Sequence, residues 1–454
     1  MQNKYIGIKP NVFIYHTNAK ANIVYQNLNK NETCYTFFSV NETGEKIIGL
    51  ITGQDTLKRF KHKFCDKYEI NYEENRTWID NFIKALDEKG IVLFSDTAMP
   101  NTAIEVVGAK DAISPLSATI EVTEQCNLRC KHCYADASPN KNKKHMPLND
   151  FYKLVDILRA NKVFNLELTG GELFVHPNAY EIVQTSLNNF ATVGILTNGV
   201  SLNDKMLELL KSHKDKIMVN ISIDSVNPET HDTFRGLNGA FGKSCETVKR
   251  LTSNGIRVRL ASTIFNDNLW EVDKLAELTL SLGASVFSFG YVENFGRGVG
   301  FRKKTNVDVT SYVKYINDTL SKYKHIMPII DSKEFLKTSD NCGAGVNSIT
   351  IGVDGKIRPC VIHPHTTLFG NVFTDEYTTI FEKDIYRKLS KIPAPSIETG
   401  CDKTCDNFLI CRGCFLKGLE YNKESKYHCN WIIKNELAQI LKVYEEEHLY
   451  EKCK

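Results

Sequence analysis

The sequence predicts an α/β protein: a partial (β/α)6 barrel preceded by a winged-helix domain and followed by a cysteine-rich domain. Three observations predict it. Between residues 118 and 293, apolar strand-like runs alternate with amphipathic helical stretches, the pattern of a parallel sheet with crossover helices. Residues 1–98 mix short strand-like runs with three helical patterns, the make-up of a small winged helix. Seven of the 14 cysteines fall between Cys342 and Cys429, too dense for packing residues.

In order along the chain, strands are expected at 5–8, 12–16 and 23–27, then helices at 31–40, 54–68 and 74–89, then a strand at 91–94. The stretch 97–114 carries Pro100 and Gly108 with few apolar residues in helical register, which reads as a linker. The barrel strands are expected at 118–122, 164–169, 192–197, 217–224, 256–263 and 285–291. Six such units are too few to close an eight-stranded barrel, hence the partial one. The expected domains are 1–98, a linker at 99–116, the partial barrel at 117–310, and the cysteine-rich domain with a C-terminal helix at 311–454.

Composition narrows the function classes. A net charge of +3 over 454 residues leaves no broad basic footprint, so nucleic acid is not an expected partner. The N-terminal MQNKYIGIKP has no apolar h-region, and no stretch approaches the ~20 apolar residues of a membrane span. No membrane partner is expected, and the expected location is cytoplasmic. Without a signal peptide, clustered thiols point to metal or redox work rather than disulfides.

The chemistry concentrates at strand ends, where parallel α/β folds bind ligands. Cys126, Cys130 and Cys133 form Cys-x3-Cys-x2-Cys, three thiolates for a four-iron cluster whose remaining iron is open to chemistry. A zinc knuckle is the bland alternative. It needs a fourth ligand at comparable spacing, and His132, inside the triplet, is a poor one. Gly170-Gly171-Glu172 follows the second strand; paired glycines let backbone approach a ligand closely, and Glu172 can accept from an amine. Asn198 closes the third strand. Ser222 and Asp224 close the fourth, both on one face because strand side chains alternate. His231 and Arg235 lie just beyond, with His231 read as a turn or capping residue. Further on come Cys342, Cys360, Cys401, Cys405, Cys411, Cys414 and Cys429. Cys34, Cys65, Cys245 and Cys453 stand apart and read as small hydrophobes.

The triplet, with an aromatic directly after its last cysteine, resembles the signature of radical S-adenosylmethionine (radical SAM) enzymes. The later cysteines resemble the SPASM extension of such enzymes, though spaced x3-x5-x2 where the usual form is x2-x5-x3. The stretches TGGELFVHPNA, ILTNGV, ISIDSVNPETHDTFRG, ENFGRG, NCGAGVNSITI, GKIRPC and CRGCFLKGL resemble the subtilosin-type sactipeptide maturases, with ranthipeptide maturases as close relatives. The resemblance implies S-adenosyl-L-methionine and three [4Fe-4S] clusters as cofactors, one radical SAM and two auxiliary. Cys126, Cys130 and Cys133 would hold the first. Gly170, Gly171 and Glu172 would hold the methionine amino group, and Asn198, Ser222 and Asp224 the ribose hydroxyls or amino acid portion. Arg235 would pair with the cofactor carboxylate, and Tyr134 would meet the adenine with backbone or ring.

By the same resemblance Cys401, Cys405, Cys411 and Cys429 close a distal auxiliary cluster, and Cys342, Cys360 and Cys414 bind a proximal one. Residues 343–348 supply no fourth ligand, so the proximal cluster has an open iron or takes His363 or His365. The implied reaction is thioether formation, cysteine sulfur to carbon, in a ribosomally made precursor peptide. The implied partners are a cysteine-containing precursor with a leader, and a flavodoxin or ferredoxin-type electron donor. In such maturases the leader adds a strand to the wing edge, expected here near 23–27 against the helix at 54–68 or 74–89. Glu293 and Arg297 follow the sixth strand, where Arg297 would bind peptide carbonyls or a neighbouring acid. The competing readings are another radical SAM maturation, formylglycine formation or carbon–carbon crosslinking, and a redox-sensing DNA-binding protein.

Overall fold

The computed structural model describes residues 2–10, 12–17, 20–26, 35–110, 112–292, 295–299, 309–331, 342–363, 369–402, 404–405, 411, 413–421, 429–438 and 440. The chain divides into two compact units, Met1–Ser114 and Pro115–Lys454.

In the first unit, β1 (Tyr5–Ile8) pairs antiparallel with β5 (Val92–Ser95). A second sheet contains β2 (Phe13–Thr17), β3 (Lys20–Gln26), β4 (Tyr35–Val40) and β6 (Glu105–Gly108), in the order β4-β3-β2-β6. Three helices accompany them: α1 (Glu42–Gly49), α2 (Leu57–Lys67) and α3 (Tyr72–Glu88). Their buried faces, with Ile47, Phe60, Phe64, Ile79 and Ile83, share one apolar core with Ile6, Ile14 and Ile23.

Three expectations need correction here. The helix at 31–40 is a strand over its described part, because Tyr35-Thr36-Phe37-Phe38-Ser39-Val40 is rich in aromatic and β-branched residues and sets Phe38 and Val40 against the core. The expected edge at 23–27 is interior: β3 is hydrogen-bonded to β2 on one side and β4 on the other, and Asn27 lies outside the described residues. The linker contains β6, which pairs in parallel with β2.

In the second unit the six expected strands form as β7 (Ser117–Glu121), β8 (Asn165–Thr169), β9 (Thr192–Thr197), β10 (Ile217–Ser222), β11 (Arg257–Ile264) and β12 (Val286–Tyr291). All five neighbouring pairs are parallel and in sequence order. Helices α4 (Leu148–Ala160), α5 (Ala179–Asn189), α6 (Asp204–Ser212), α7 (Pro228–Arg235), α8 (Ala240–Ser253) and α9 (Val272–Ser281) fill the crossovers. Because parallel crossovers share one hand, strands in sequence order carry their helices on one face and leave the other open. β11 records this directly: Val258, Leu260, Ser262 and Ile264 are buried, while Arg257, Arg259, Ala261 and Thr263 are half-buried.

The sheet is longer than six strands. After α10 (Val309–Tyr323), β13 (Ile329–Asp331) adds in parallel beside β12. At the other edge β14 (Ser348–Ile351) pairs in parallel with β7, and β15 (Ile357–Arg358) closes the nine-stranded order antiparallel to β14. The cysteine-rich segment is therefore anchored on the strand that leads into the Cys126 loop. Short helices α11 (Tyr377–Ile380), α12 (Asp384–Lys391), α13 (Phe415–Tyr421) and α14 (Asn430–Lys434) follow. Among the described residues no helix is long and apolar enough to cross a membrane.

Candidate active site

The loop after β7 folds back on itself before α4. Glu124 N donates to Lys144 O, Cys126 N to Ser138 O and Met146 N to Val122 O. A connection of this length with little regular structure marks function rather than linkage. It brings Cys126 and Cys130, both buried, together with the half-buried Cys133, among Leu128, Ala137, Val200 and Leu237. Burial, followed by the charges of Glu172, Cys130 and Cys133, pushes the Cys126 thiol up to about 12. Burial likewise raises the Cys130 thiol, so these two buried thiols favour neutrality unless a cation joins them.

Arg297 clamps this loop. Its Nε donates to Cys130 O at 2.8 Å, Nη1 to the Asp136 carboxylate at 2.6 Å and Nη2 to Ala137 O at 2.8 Å, while its backbone N donates to Cys133 O. The open question of peptide carbonyl against neighbouring acid is thus answered by the loop itself. Glu293 lies outside the described residues. His132 stacks on Phe234, which stacks on Phe265, and burial holds its imidazole down to about 3. Tyr134 bonds its hydroxyl to Thr169 and sits beside Glu121 and Arg358.

The two glycines of Gly170-Gly171-Glu172 are required by a backbone crossing. A Cβ on Gly170, whose φ is +144°, would collide with the Thr123 backbone, and one on Gly171 with the Gln125 carbonyl. The end of β8 is thereby pressed against the entry to the cysteine loop, with Glu172 N donating to Gln125 O at 2.9 Å. Glu172 is 2% exposed. Its carboxylate accepts from Thr197 Oγ1 at 2.7 Å, Asn198 N at 2.8 Å and Phe174 N at 3.1 Å. Burial nevertheless raises its pKa, the direction expected of a carboxylate still short of a cation.

Asn198 joins this group: its Nδ2 donates to Asn127 Oδ1 at 2.7 Å and faces Cys126 Sγ at 3.9 Å. Ser222 is half-buried at the end of β10, level with Ala261. Asp224 and Arg235 pair with each other. Asp224 is fully buried and accepts from Arg235 Nε at 2.5 Å, Arg235 Nη2 at 2.9 Å and Thr263 N at 2.8 Å. Burial works against its charge, but the guanidinium outweighs it and the carboxyl sits below its usual range. Two of the three guanidinium nitrogens are thus engaged within the protein, and the pair braces the end of β10. His231 caps the strand end, its Nδ1 accepting from Asp224 N at 3.1 Å.

The later cysteines lie close enough to act on one another's charge. Cys360 feels the charges of Cys414 and Cys342, which together with burial lift its thiol. Cys411, pushed up to about 12 chiefly by burial, feels Cys405, Cys429, Cys401 and also Cys414. Cys401, pushed up to about 11, likewise feels Cys429 and Cys405. His363 stacks edge-on against Phe369, and His365 lies outside the described residues. Among the described residues no three His, Cys, Asp or Glu side chains close around a single metal ion.

One part of the site was not foreseen. Arg358 on β15 pairs with Glu121 at the end of β7, both buried, and its Nη1 also donates to His363 O at 2.9 Å. The turn bearing Cys360 is thereby tied to the strand leading to Cys126. GKIRPC sets the arginine two positions before a cysteine, but nothing in that stretch or in the strand SATIE points each residue to the other.

Against known families, residues 120–279 match the radical SAM superfamily and residues 342–415 match SPASM, an iron-sulfur cluster-binding domain. The chain is 36% identical over 413 residues to the antilisterial bacteriocin subtilosin biosynthesis protein AlbA of Bacillus subtilis, covering 90% of this chain and 91% of that one. The chain belongs to the radical SAM–SPASM family of AlbA. It is also 29% identical to the sporulation killing factor maturation protein SkfB of Bacillus subtilis, over 71% of this radical SAM chain and 78% of SkfB. Among solved structures, Streptococcus suis SuiB bound to its precursor peptide SuiA shares the fold, with a TM-score of 0.63 at 14% identity over 92% of this chain and 97% of that one. Membership brings S-adenosylmethionine and several [4Fe-4S] clusters as cofactors, and the donor sets fit them: three grouped thiols, a glycine cradle and a buried carboxylate short of a cation.

Proposed function

We propose that this protein is a peptide maturase that joins a cysteine sulfur to a carbon of another residue in a ribosomally made precursor. Its likeness to AlbA along nine-tenths of the chain supports the class. The observation that carries the thioether reading is the Cys342, Cys360 and Cys414 group, whose neighbouring residues 343–348 hold no further ligand type. A cluster held by three cysteines keeps a position for a substrate thiolate, the reactive form of cysteine.

When bound, S-adenosylmethionine and its reduced cluster supply a 5'-deoxyadenosyl radical that takes a hydrogen atom from a substrate carbon. Cys126, Cys130 and Cys133 hold the cluster. Gly170 and Gly171 give backbone access, Glu172 accepts from the cofactor amine, and Asn198, Ser222 and the Tyr134 segment line the rest of its site. The Cys401, Cys405, Cys411 and Cys429 group holds a second auxiliary cluster, and the six central strands act as a partial barrel around the cofactor. Forming the C–S bond removes two hydrogens, one as an atom and one as the thiol proton, and leaves a surplus electron, for which an auxiliary cluster held by the later cysteines would be the acceptor.

The unit Met1–Ser114 serves as a winged-helix leader-recognition element, with strand addition at β4 or β6, the edges of its four-stranded sheet. A flavodoxin or ferredoxin supplies electrons, and the location is cytoplasmic. The test is anaerobic co-expression with the cysteine-bearing peptide encoded beside the gene, wild type against Cys126→Ala. Loss of two hydrogens per modified cysteine, with that thiol closed to alkylation, is the expected mass-spectrometric result. Deoxyadenosine production with an unchanged peptide mass would overturn the thioether reading.

A further inference from the structure

Inward positions of a parallel barrel sheet are normally apolar and branched. On the open face of this sheet β11 instead carries Arg259, half-buried, beside Asn220 of β10. Arg259 Nε donates to Asn220 Oδ1, and among the described residues this is its hydrogen-bond partner; no carboxylate among them pairs with it. Asn220 is itself buried, so it fixes the guanidinium without neutralising it. A half-buried cation whose two terminal nitrogens have no partner among the described residues can donate both to a ligand entering this face.

Its position says what it meets. Asn220 and Arg259 pair across β10 and β11 two residues before Ser222 and Ala261, which is about 6.6 Å further from the strand ends where Asn198, Ser222 and Glu172 gather. Along the sheet Arg259 is three strands from β8, about 14 Å from the Gly170-Gly171-Glu172 end. Arg259 therefore roots deeper in the sheet than the residues gathered at the strand ends, on the side where a substrate would lie beneath the cofactor.

We propose that Arg259, oriented by Asn220, binds main-chain carbonyl oxygens of the precursor segment being crosslinked, and so sets which residue lies under the cofactor. This rests on the peptide-maturase reading. A planar guanidinium with two free nitrogens suits carbonyl oxygens spaced along an extended chain.

The experiment compares reconstituted wild type with Arg259→Gln, Arg259→Lys and Asn220→Ala, using a fluorescein-labelled synthetic copy of the neighbouring cysteine-bearing peptide. Anisotropy gives peptide affinity; deoxyadenosine and crosslinked product are measured with and without peptide, and iron content and melting temperature are recorded. The expected result for Arg259→Gln is an about ten-fold or greater loss of peptide affinity, with deoxyadenosine formed in excess of product and the KM for S-adenosylmethionine unchanged. Arg259→Lys should recover part of the affinity, and Asn220→Ala should weaken it less than Arg259→Gln does. A raised KM for S-adenosylmethionine with unchanged peptide affinity would place Arg259 against the cofactor and overturn the proposal. So would a lowered melting temperature alone, which would make it a structural brace. If wild type never joins sulfur to carbon, the proposed function fails, yet the ratio of peptide affinities still decides this inference.

Discussion

Arg235 gives two guanidinium nitrogens to Asp224, at 2.5 and 2.9 Å, and faces the Cys130 sulfur with the third at 3.9 Å. One buried cation thus links the end of β10 to a candidate cluster ligand. Hydrogen bonds to ligand sulfurs and buried neighbouring charges are both levers on a cluster. Arg235→Ala leaves Asp224 buried and unpaired, which should cost about 3–5 kcal/mol. Anaerobic urea denaturation should show this as a lower midpoint. An unchanged midpoint would mean that Asp224 finds another partner or takes up a proton at little cost.

Arg297 should matter for cluster retention rather than for global stability. Its three side-chain bonds go to Cys130 O, Asp136 and Ala137 O, all in the cysteine loop. Losing an outer partner of metal ligands costs about 10–100-fold in metal affinity. Arg297→Ala should therefore release iron faster to a chelator, while cysteine groups remote from this loop keep theirs. Equal chelation kinetics for wild type and variant would dismiss the clamp.

Gly171→Ala tests the crossing of the two loops. The added methyl meets the Gln125 carbonyl and the Glu124 oxygen, both backbone atoms that cannot rotate away. The Gly-Gly-Glu turn must move off the cysteine loop, so S-adenosylmethionine binding measured by equilibrium dialysis should fall by about ten-fold or more. Gly242→Ala is the control, since nothing lies within 4 Å of its added carbon.

What the sequence disclosed follows the range of the forces involved. The six parallel strands were legible because alternation of apolar runs and helices is a local pattern, repeated in β7 through β12. The β4 segment was misread because residues 35–40 pair with β3 rather than continue a helix, a tertiary choice that propensity alone leaves open. Asp224 and Arg235 were given to the cofactor because their types suit it. That they satisfy each other depends on α7 returning over the end of β10, as does the His231 contact to Asp224 N. The Glu121–Arg358 pair joins residues 237 positions apart and has no local signature.

His231 should make the protein sensitive to mild acid. It is 1% exposed, its Nδ1 accepts from Asp224 N, and burial, resisted by Asp224 and reinforced by Arg235, lowers its pKa from 6.5 to about 4. The folded state therefore holds the neutral ring while the unfolded chain binds a proton below 6.5. Stability contributed by the neutral ring is complete above pH 6.5 and declines as pH falls toward 4, because the unfolded state gains protons that the folded state refuses. By pH 5 the decline is about 2 kcal/mol relative to pH 7. His231→Asn keeps an acceptor for Asp224 N but does not titrate. The difference in unfolding free energy between pH 7 and pH 5 should accordingly be smaller for the variant than for wild type by about that amount, measured by urea denaturation at each pH. Parallel pH dependences would show that His231 is protonated in the folded protein, and that Asp224 N has lost its acceptor there.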